Sequence, residues 1–276
     1  MSDELEKIHT RIWEEEAEPD NPFAAAAVFC HGYDVYGEVL AKASWTEFLY
    51  LLFRGERPEP WQAQLLERLA IALANPGPRD HSVRAAMNAG VGRSTSASTL
   101  MAALAVGAGN LGGAREVYVA LTYWEVCGLD IDQWSEYLQD PPQEERADIW
   151  TPMEHPPGFD PHGVSCATPV RAVLSALAGL APEGGALRWL DNNRERLESS
   201  AKLPLAMSGV AAAALAQLGF NADQAEMLYL ILRLPGAAVH GLEQREYGWR
   251  RYPFFHNGLV VPGPEESSRE RTVHGS

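Results

Sequence analysis

Residues 44–58, SWTEFLYLLFRGERP, decide the fold class because they form the clearest helical pattern in the chain. Their apolar side chains recur at intervals of three and four residues, which is typical of one buried helix face. These side chains are Trp45, Phe48, Leu49, Leu52 and Phe53. Ser44 and Glu47 have the spacing of a capping box, and Gly55 followed by Pro58 ends the pattern. The stretch therefore predicts an amphipathic helix with defined ends.

The rest of the sequence continues this helical pattern. Pro60 begins a second predicted helix, which the prolines and glycine of residues 75–78 end. Its predicted buried residues are Leu65, Leu66, Leu69, Ile71 and Leu73. Residues 83–108 are rich in small side chains, which suits closely packed helices. Further helices are predicted at 115–126, 169–181, 184–199, 203–218 and 222–247. Strand patterns are scarce, so the predicted fold class is all-α.

Three segments lack a clear helical period. Residues 1–22 are predicted to be a charged N-terminal segment with one short helix that ends at Glu18-Pro19. Residues 130–145 are acidic and are predicted to form a loop that ends at Pro141-Pro142. Residues 152–169 are rich in proline and glycine and predict a long structured loop. Long loops inside compact domains usually carry function or are disordered.

Composition excludes several classes of protein. The 276 residues carry a formal net charge of −15, which argues against a nucleic-acid partner because phosphate binding requires clustered Lys and Arg. The three widely spaced cysteines suggest neither a disulfide framework nor a zinc site. The acidic start lacks a signal-peptide pattern, and no apolar run is long enough for a membrane span. We expect a cytoplasmic protein that does not bind a membrane.

Several short motifs follow one another in an order that resembles the citrate synthase superfamily. They are His31-Gly-Tyr-Asp34, residues 44–58, Asp80-His81, Gly112-Gly-Ala114, Pro157-Gly-Phe159, Pro169, Arg171 and the run Arg233-x-x-Gly236-x-x-x-His240-x-Leu-Glu-Gln244. The resemblance covers about residues 25–260. The short chain and the absence of His before Gly112-Gly113 favour the citryl-CoA lyase branch.

The resemblance implies an architecture and a chemistry. It implies a large helical domain made of residues 23–111 and 206–276, a smaller helical domain of residues 112–205, and a cleft between them. In such enzymes an Asp moves a proton on acetyl-CoA, two His side chains stabilise the enolate and polarise a carbonyl, and Arg side chains bind carboxylates. A coenzyme A thioester is then a substrate. No permanently bound cofactor and no metal are implied, and a homodimer or higher homo-oligomer is expected.

The chain departs from the family pattern at three positions. Leu111 replaces the enolate-binding His of synthases. The carbonyl-polarising His corresponds to Pro161 without a gap, or to His162 with one inserted residue; Arg171, nine residues after His162, favours the second alignment, whereas Pro169 favours the first. The family's catalytic Asp corresponds to Leu205 or Ala206, so Glu198, Asp160 or an acid from another protomer would have to replace it.

The candidate site residues follow from these matches. His162 and His81 are the candidate catalytic residues, and the substrate-binding candidates are Arg171, Arg233, His240 and Arg250. Each has a structural alternative. His162 would be an exposed loop side chain, His81 a residue at a helix start, and Arg233 a salt-bridge partner in the core. His240 would shape helix packing, and Arg250 would be a solvated side chain.

The sequence also allows other interpretations. The chain is either a carbon–carbon lyase or acyltransferase, a relative that binds a carboxylate or CoA ligand without turnover, or an enzyme for another acyl-CoA. A metal site formed by His155, Asp160, His162 and Cys166 has no known ligand spacing. The string Gly107-x-Gly109-x-x-Gly112 follows a helical segment, so it does not predict a dinucleotide site.

Overall fold

The computed structural model describes residues 9–141 and 152–252, and within them the chain begins as a β-hairpin. Strand β1 (Trp13–Glu18) pairs antiparallel with β2 (Asn21–Cys30), and β2 pairs with the short β3 (Tyr33–Asp34). The helix predicted before Pro19 is therefore wrong. Pro19 and Asp20 form the hairpin turn, because proline fixes one turn dihedral angle and Asp tolerates turn conformations. Residues 1–8 of that predicted segment lie outside the described residues.

Helices follow the hairpin to the end of the described chain. A π-helical turn (Val35–Val39) leads into α1 (Leu40–Lys42). The longer helices are α2 (Trp45–Arg54), α3 (Pro60–Leu73), α4 (His81–Val91), α5 (Ser96–Gly107), α6 (Ala114–Cys127), α7 (Ile131–Gln139), α8 (Thr168–Leu180), α9 (Ala186–Ala201), α10 (Met207–Gln217) and α11 (Ala222–Tyr247). A 3₁₀ turn (Trp249–Arg251) follows α11. The predicted all-α class is confirmed, with one small sheet added.

Helix α2 has the ends that its sequence predicts. The Ser44 side chain accepts from the Glu47 N–H, the Glu47 side chain accepts from the Ser44 N–H, and Gly55 ends the helix in the left-handed conformation. The buried face differs from the predicted stripe, however. Trp45 is 65% exposed, and the fully buried positions are Thr46, Leu49, Tyr50 and Leu51. The hydroxyl of Tyr50 donates to the carbonyl of Leu218, which orients the ring toward the core.

The acidic segment predicted as a loop contains helix α7. Asp130 begins this helix, because its carboxylate accepts from the backbone N–H groups of Asp132 and Gln133. Trp134 and Leu138 are buried on the same side of the helix. The prediction failed because the two apolar side chains, four residues apart, outweigh the acidic composition. Residues 142–145 of the predicted loop lie outside the described residues.

Helix α10 lies at the centre of the core. All eight residues from Ser208 to Leu215 are buried, and four of them are alanine, so neighbouring helices can approach closely. Helices α6, α8 and α9 pack around it. Burial of α3 follows the sequence prediction except at Ile71, which is 59% exposed.

Helix α11 joins the central core to a second group of helices. Its last turns pack against α4, where Gly90 and Gly241 bring the two backbones into direct contact; a Cβ atom at Gly90 would overlap the carbonyl of Gly241. The division into a large and a small domain stays a prediction. None of the helices in the described ranges is both long and apolar enough to cross a membrane.

Candidate functional site

The proline-rich loop 152–167 is tied to the start of α10. Phe159 and Leu205 form an isolated antiparallel bridge. The Asp160 N–H donates to the carbonyl of Pro204 at 2.8 Å, and the Ala206 N–H donates to the carbonyl of Gly158 at 2.9 Å. Residues 203–206 are consequently outside the helix that the sequence predicted from residue 203, and α10 begins at Met207. The bridge places Asp160 directly beside the segment that contains Leu205 and Ala206.

Two glycines make this contact possible. Gly158 has φ = +87°, a conformation that side chains with a Cβ atom rarely adopt. A Cβ atom at Gly158 would lie 2.8 Å from the Cα atom of Gly209. The loop and the first turn of α10 therefore touch backbone to backbone.

A buried carboxylate, Glu116, holds three parts of the site together. Its side chain accepts from the Gly112 N–H at 2.5 Å, from the Gly158 N–H at 2.9 Å and from the Ser208 hydroxyl at 2.6 Å. The Nε2 atom of the buried His155 ring lies 3.5 Å from the same carboxylate. Because Glu116 is only 1% exposed, its lone pairs need these donors.

Asp80 and Arg233 form a buried ion pair next to the carbonyl of Gly112, whose N–H contacts Glu116. Asp80 begins α4 by accepting from the Ser82 and Val83 N–H groups, and its second carboxylate oxygen accepts from the Arg233 guanidinium. Arg233 also donates to the carbonyl of Gly112 at 2.9 Å, and its guanidinium lies over the ring of Tyr229. The start of α4, the α5–α6 turn and the middle of α11 thus meet at one point.

Tyr229 reinforces the same turn. Its hydroxyl donates to the carbonyl of Gly112 at 3.1 Å. Burial raises the pKa of Tyr229 to about 12, so the hydroxyl keeps its proton at neutral pH. Gly112 itself has φ = +63°, which lets its N–H and carbonyl face Glu116 and Tyr229 respectively.

These contacts surround a cleft of about 520 Å³. It lies among the end of α3, the α5–α6 turn, the starts of α4, α6, α8 and α10, the loop 152–167 and the middle of α11. The lining residues are Ala72, Leu73, Asn75, Pro76, Arg79, Asp80, His81, Leu111, Gly112, Glu116, Phe159, Asp160, Pro161, His162, Pro169, Ala206, Met207, Ser208, Tyr229 and Arg233. Its volume is within the range of small-molecule sites.

The cleft brings together three of the six candidate site residues. His81 and His162 line it, and both side chains are exposed to solvent. Arg233 also lines the cleft and forms an ion pair with Asp80. The salt bridge that the sequence suggested as an alternative role for Arg233 is therefore present, and it lies at the cleft. Pro161 also lines the cleft, so both alignments of the family His lead to the same place.

The other three candidates do not line the cleft. Arg171 is exposed in the first turn of α8, where its guanidinium donates to the Cys166 carbonyl and to the Thr168 hydroxyl. The Nε2 atom of His240 lies 3.1 Å from the Oδ1 atom of Asn75, so His240 contacts a residue that lines the cleft but does not line the cleft itself. Arg250 is exposed and lies over the Trp249 ring. Their substrate-binding roles stay predictions, since each side chain has a local partner in the structure.

Three carboxylates line the cleft, and their partners differ. Asp80 is paired with Arg233, and Glu116 already accepts from three donors. Asp160 is half-buried, and one of its oxygens accepts from the His162 N–H at 2.9 Å. Glu198, a sequence-based candidate, instead forms a 2.6 Å ion pair with Arg194 and does not line the cleft. Among the three carboxylates of the cleft, Asp160 therefore accepts the fewest hydrogen bonds from the described residues.

Sequence reasoning missed Glu116 and Arg79. The signal for Glu116 was a single acid on the apolar face of α6, in line with Ala120, Tyr123 and Cys127, which are all buried. An acid at such a position needs internal donors. Arg79 gave no signal, because its place in the cleft depends on the turn before α4.

The metal alternative lacks the required geometry. His155 faces Glu116, and the thiol of Cys166 lies 3.6 Å from the carbonyl of Leu205. Burial raises the pKa of the Cys166 thiol, which disfavours the thiolate that metals bind. In the described ranges, no cluster of three or more His, Cys, Asp or Glu side chains is arranged to hold a metal ion.

Comparison with solved structures identifies the fold. The citryl-CoA lyase from Hydrogenobacter thermophilus superposes with a TM-score of 0.67 at 16% identity, over 95% of this chain and 99% of the lyase. A substituted form of the Methanosaeta concilii ATP citrate lyase, in complex with (3S)-citryl-CoA, gives a TM-score of 0.69 at 16% identity, over 95% of this chain and 43% of that one. Citrate synthase from Thermotoga maritima gives 0.58 at 20% identity, over 79% and 58%.

No protein-family model matches the sequence, and no curated protein matches it either. The chain has the fold of citryl-CoA lyase and citrate synthase, as the resemblance predicted. Identities of 16–20% establish this fold and not the activity.

Proposed function

We propose that the chain is an acyl-CoA enzyme of the citrate synthase superfamily, most like citryl-CoA lyase. It would cleave citryl-CoA, or a close relative, into acetyl-CoA and an oxo dicarboxylate such as oxaloacetate, or run the condensation in reverse. The observation that carries this proposal is the cleft, which gathers His81, His162, Arg233 and Asp160. The similarity of the whole chain to the fold of a citryl-CoA lyase of nearly equal length also supports this proposal.

The cleavage needs a base, cationic groups that bind the carboxylates of the substrate, and an acid. A base takes the proton of the tertiary hydroxyl, the carbon–carbon bond breaks to give the keto group, and its electron pair forms the thioester enolate. The enolate carbon then takes a proton and becomes acetyl-CoA. No electrons are exchanged with a cofactor, so we propose that no permanently bound cofactor takes part.

We assign these roles to side chains that line the cleft. His162 and His81 hold the oxygen that becomes the keto group and take its proton, since a His can accept and donate near neutral pH. Arg233 and Arg79 attract the carboxylates of the dicarboxylate half. Asp160 supplies the proton to the enolate carbon. The bridge to residues 204–206 supports this last role, because it brings Asp160 beside the position of the family's missing acid.

We also propose the expected two-domain division and a homo-oligomer. Support for self-association comes from α5 and α11, which pack against each other and carry exposed apolar side chains. Met101 and Val106 are 60% and 46% exposed, and Val239 and Leu242 are 57% and 56% exposed. Such side chains are commonly covered at subunit contacts.

A second candidate function is a binding protein that has lost turnover. Leu111 lines the cleft where a synthase has its enolate-binding His, and Leu205 is buried with no carboxylate of its own. Such a protein would bind a dicarboxylate through Arg233 and leave citryl-CoA intact. An enzyme for a different acyl-CoA would bind neither oxaloacetate nor citrate.

The experiment that separates these candidates combines turnover and binding. Purified protein is incubated with citryl-CoA, and separately with acetyl-CoA plus oxaloacetate, while free CoA and acetyl-CoA are followed by chromatography. Calorimetric titration with oxaloacetate and citrate runs in parallel. The lyase proposal expects turnover in at least one direction. Dicarboxylate binding without turnover would reject it in favour of the binding protein.

A further inference from the structure

His155 is a buried basic side chain to which the proposed reaction gives no role. The side chain is only 7% exposed, and the Nε2 atom of its ring lies 3.5 Å from the Oε2 atom of Glu116. This Nε2 atom is fully buried and has no hydrogen-bond partner among the described residues. Because buried polar atoms nearly always have a partner, its position beside a carboxylate indicates that the two groups act together.

Glu116 has room for a hydrogen bond from His155. The Oε1 atom of Glu116 accepts from the Gly158 N–H and the Ser208 hydroxyl, and the Oε2 atom accepts from the Gly112 N–H. A carboxylate oxygen has two lone pairs, so Oε2 can accept a second hydrogen bond. An N–H group at the Nε2 atom of His155 is close enough to supply it after a small movement.

The chain between His155 and the cleft is stiff. Pro156-Pro157 follows His155, and each proline fixes its own φ angle and restricts the preceding residue to extended conformations. Gly158 comes next and donates to the carboxylate that His155 faces. Asp160 and His162 then line the cleft. A displacement of His155 is consequently transmitted along the loop to these two side chains.

We propose that His155 is a positioning residue that acts through Glu116. Its Nε2–H group donates to the Oε2 atom of Glu116, and together with the Gly158 N–H it holds the loop 152–167 to α6 at two points. Two points fix the direction as well as the position of the segment that leads to Asp160. His155 touches no substrate in this role, because it does not line the cleft. The effect on catalysis rests on the proposed function, whereas the effect on the loop does not.

The effect on the loop is measured without substrate, by hydrogen–deuterium exchange of single backbone N–H groups in NMR spectra of the full chain. In His155→Leu we expect the Gly158 N–H to exchange about tenfold faster, which corresponds to one lost hydrogen bond to a charged group. The Gly112 N–H is the internal reference. It donates to the same carboxylate from the α5–α6 turn, which Tyr229 and Arg233 also hold, and its rate should change by less than about twofold.

Two further variants separate the hydrogen bond from the bulk of the ring. His155→Gln keeps an N–H group that can reach Glu116, so exchange at Gly158 should stay close to the wild-type rate. His9→Leu, at an exposed histidine before β1, is the matched control and should also exchange like the wild type. If His155→Leu does not fold, His155→Asn replaces it, because the shorter Asn amide does not reach the carboxylate.

Three outcomes would overturn the proposal. The first is wild-type exchange of the Gly158 N–H in His155→Leu. The second is equal acceleration at Gly112 and Gly158, which would indicate a general loss of stability. The third is equally fast exchange in His155→Gln and His155→Leu, which would show that the ring contributes bulk and not a hydrogen bond.

Citryl-CoA cleavage gives a second readout. His155→Leu should lower kcat about tenfold or more and leave KM within about twofold, because a displaced Asp160 impairs proton transfer more than substrate binding. His155→Gln should recover most of kcat. In a protein that cleaves citryl-CoA, an unchanged kcat in His155→Leu would also overturn the positioning role. If the wild type does not cleave citryl-CoA, the proposed function fails, and the exchange rates still decide whether His155 holds the loop.

Discussion

Asp160 is the residue on which the proposed chemistry depends most. We propose that it takes the place of the acid that the sequence lacks at Leu205 and Ala206, because its backbone N–H donates to the carbonyl of Pro204 beside them. Its side chain has two separable features: one oxygen accepts from the His162 N–H at 2.9 Å, and the proposed mechanism uses the carboxyl group as the acid. A substitution that keeps the acceptor and removes the acid therefore isolates the chemical role.

Asp160→Asn is such a substitution. We expect citryl-CoA cleavage to fall by about 100-fold or more, the usual contribution of a positioned acid, while the melting temperature stays unchanged. Asp191→Asn, an exposed acid on α9, is the control and should cleave at the wild-type rate. Steady-state rates of acetyl-CoA release measure both. Wild-type activity in Asp160→Asn would remove Asp160 from the mechanism.

Glu116 belongs to the support of the cleft. Glu116→Ala should lower the free energy of unfolding by about 2–4 kcal/mol, because it leaves the donors of Gly112, Gly158 and Ser208 buried and unpaired. Urea unfolding followed by circular dichroism gives the value. Glu125→Ala, on the exposed side of the same helix, should change stability by less than about 0.5 kcal/mol. Equal effects of the two substitutions would show that the Glu116 contacts contribute no stability.

Tyr229 should make the free energy of unfolding fall as the pH becomes alkaline. Its pKa of about 12 in the folded protein exceeds the ordinary value of 10.0. Between these values the folded state holds the proton that the unfolded state releases, so stability is complete below pH 10 and falls as pH rises toward 12. We expect the stability advantage of wild type over Tyr229→Phe to shrink by about 1 kcal/mol between pH 9 and 11. The free energies of unfolding of both proteins are measured in urea across this pH range. A constant difference between wild type and Tyr229→Phe would contradict the prediction.

At the scale of elements, the contact between the loop 152–167 and α10 is set by Gly158 and Gly209. Gly209→Ala places a methyl group against the Gly158 carbonyl and should cost about 1–3 kcal/mol. Gly179→Ala is the matched control, because nothing lies within 4 Å of a Cβ atom at that position of α8. Removing a helical glycine there should leave stability equal or higher by up to about 1 kcal/mol. Thermal unfolding in which both variants behave alike would refute the close contact.

The elements also explain which predictions succeeded. Helices α2, α3 and α11 were predictable because caps, prolines and apolar periodicity lie within each segment. The β-hairpin was not, because Glu- and Ala-rich strands favour a helix locally, and the pairing of Trp13 with Cys30 lies seventeen residues apart. Helix α7 was hidden by its acidic composition. Asp160 and Arg79 could not be placed, since their positions depend on contacts between distant segments.

At the scale of the whole molecule, a strongly acidic chain has a cleft that several basic side chains line. Arg79, His81 and Arg233 line the cleft, together with the carboxylates of Asp80, Glu116 and Asp160. We expect these basic side chains to attract the proposed anionic substrate against the net charge of −15, because local charges dominate over distances of about a Debye length.

The proposed lyase activity is tested most directly by a single-turnover experiment with the protein in excess over citryl-CoA. Products are quenched and measured by mass spectrometry. We expect citryl-CoA to disappear while acetyl-CoA and oxaloacetate form in equal amounts. Recovery of intact citryl-CoA, or its hydrolysis to citrate and free CoA alone, would contradict the proposal that this cleft breaks the carbon–carbon bond.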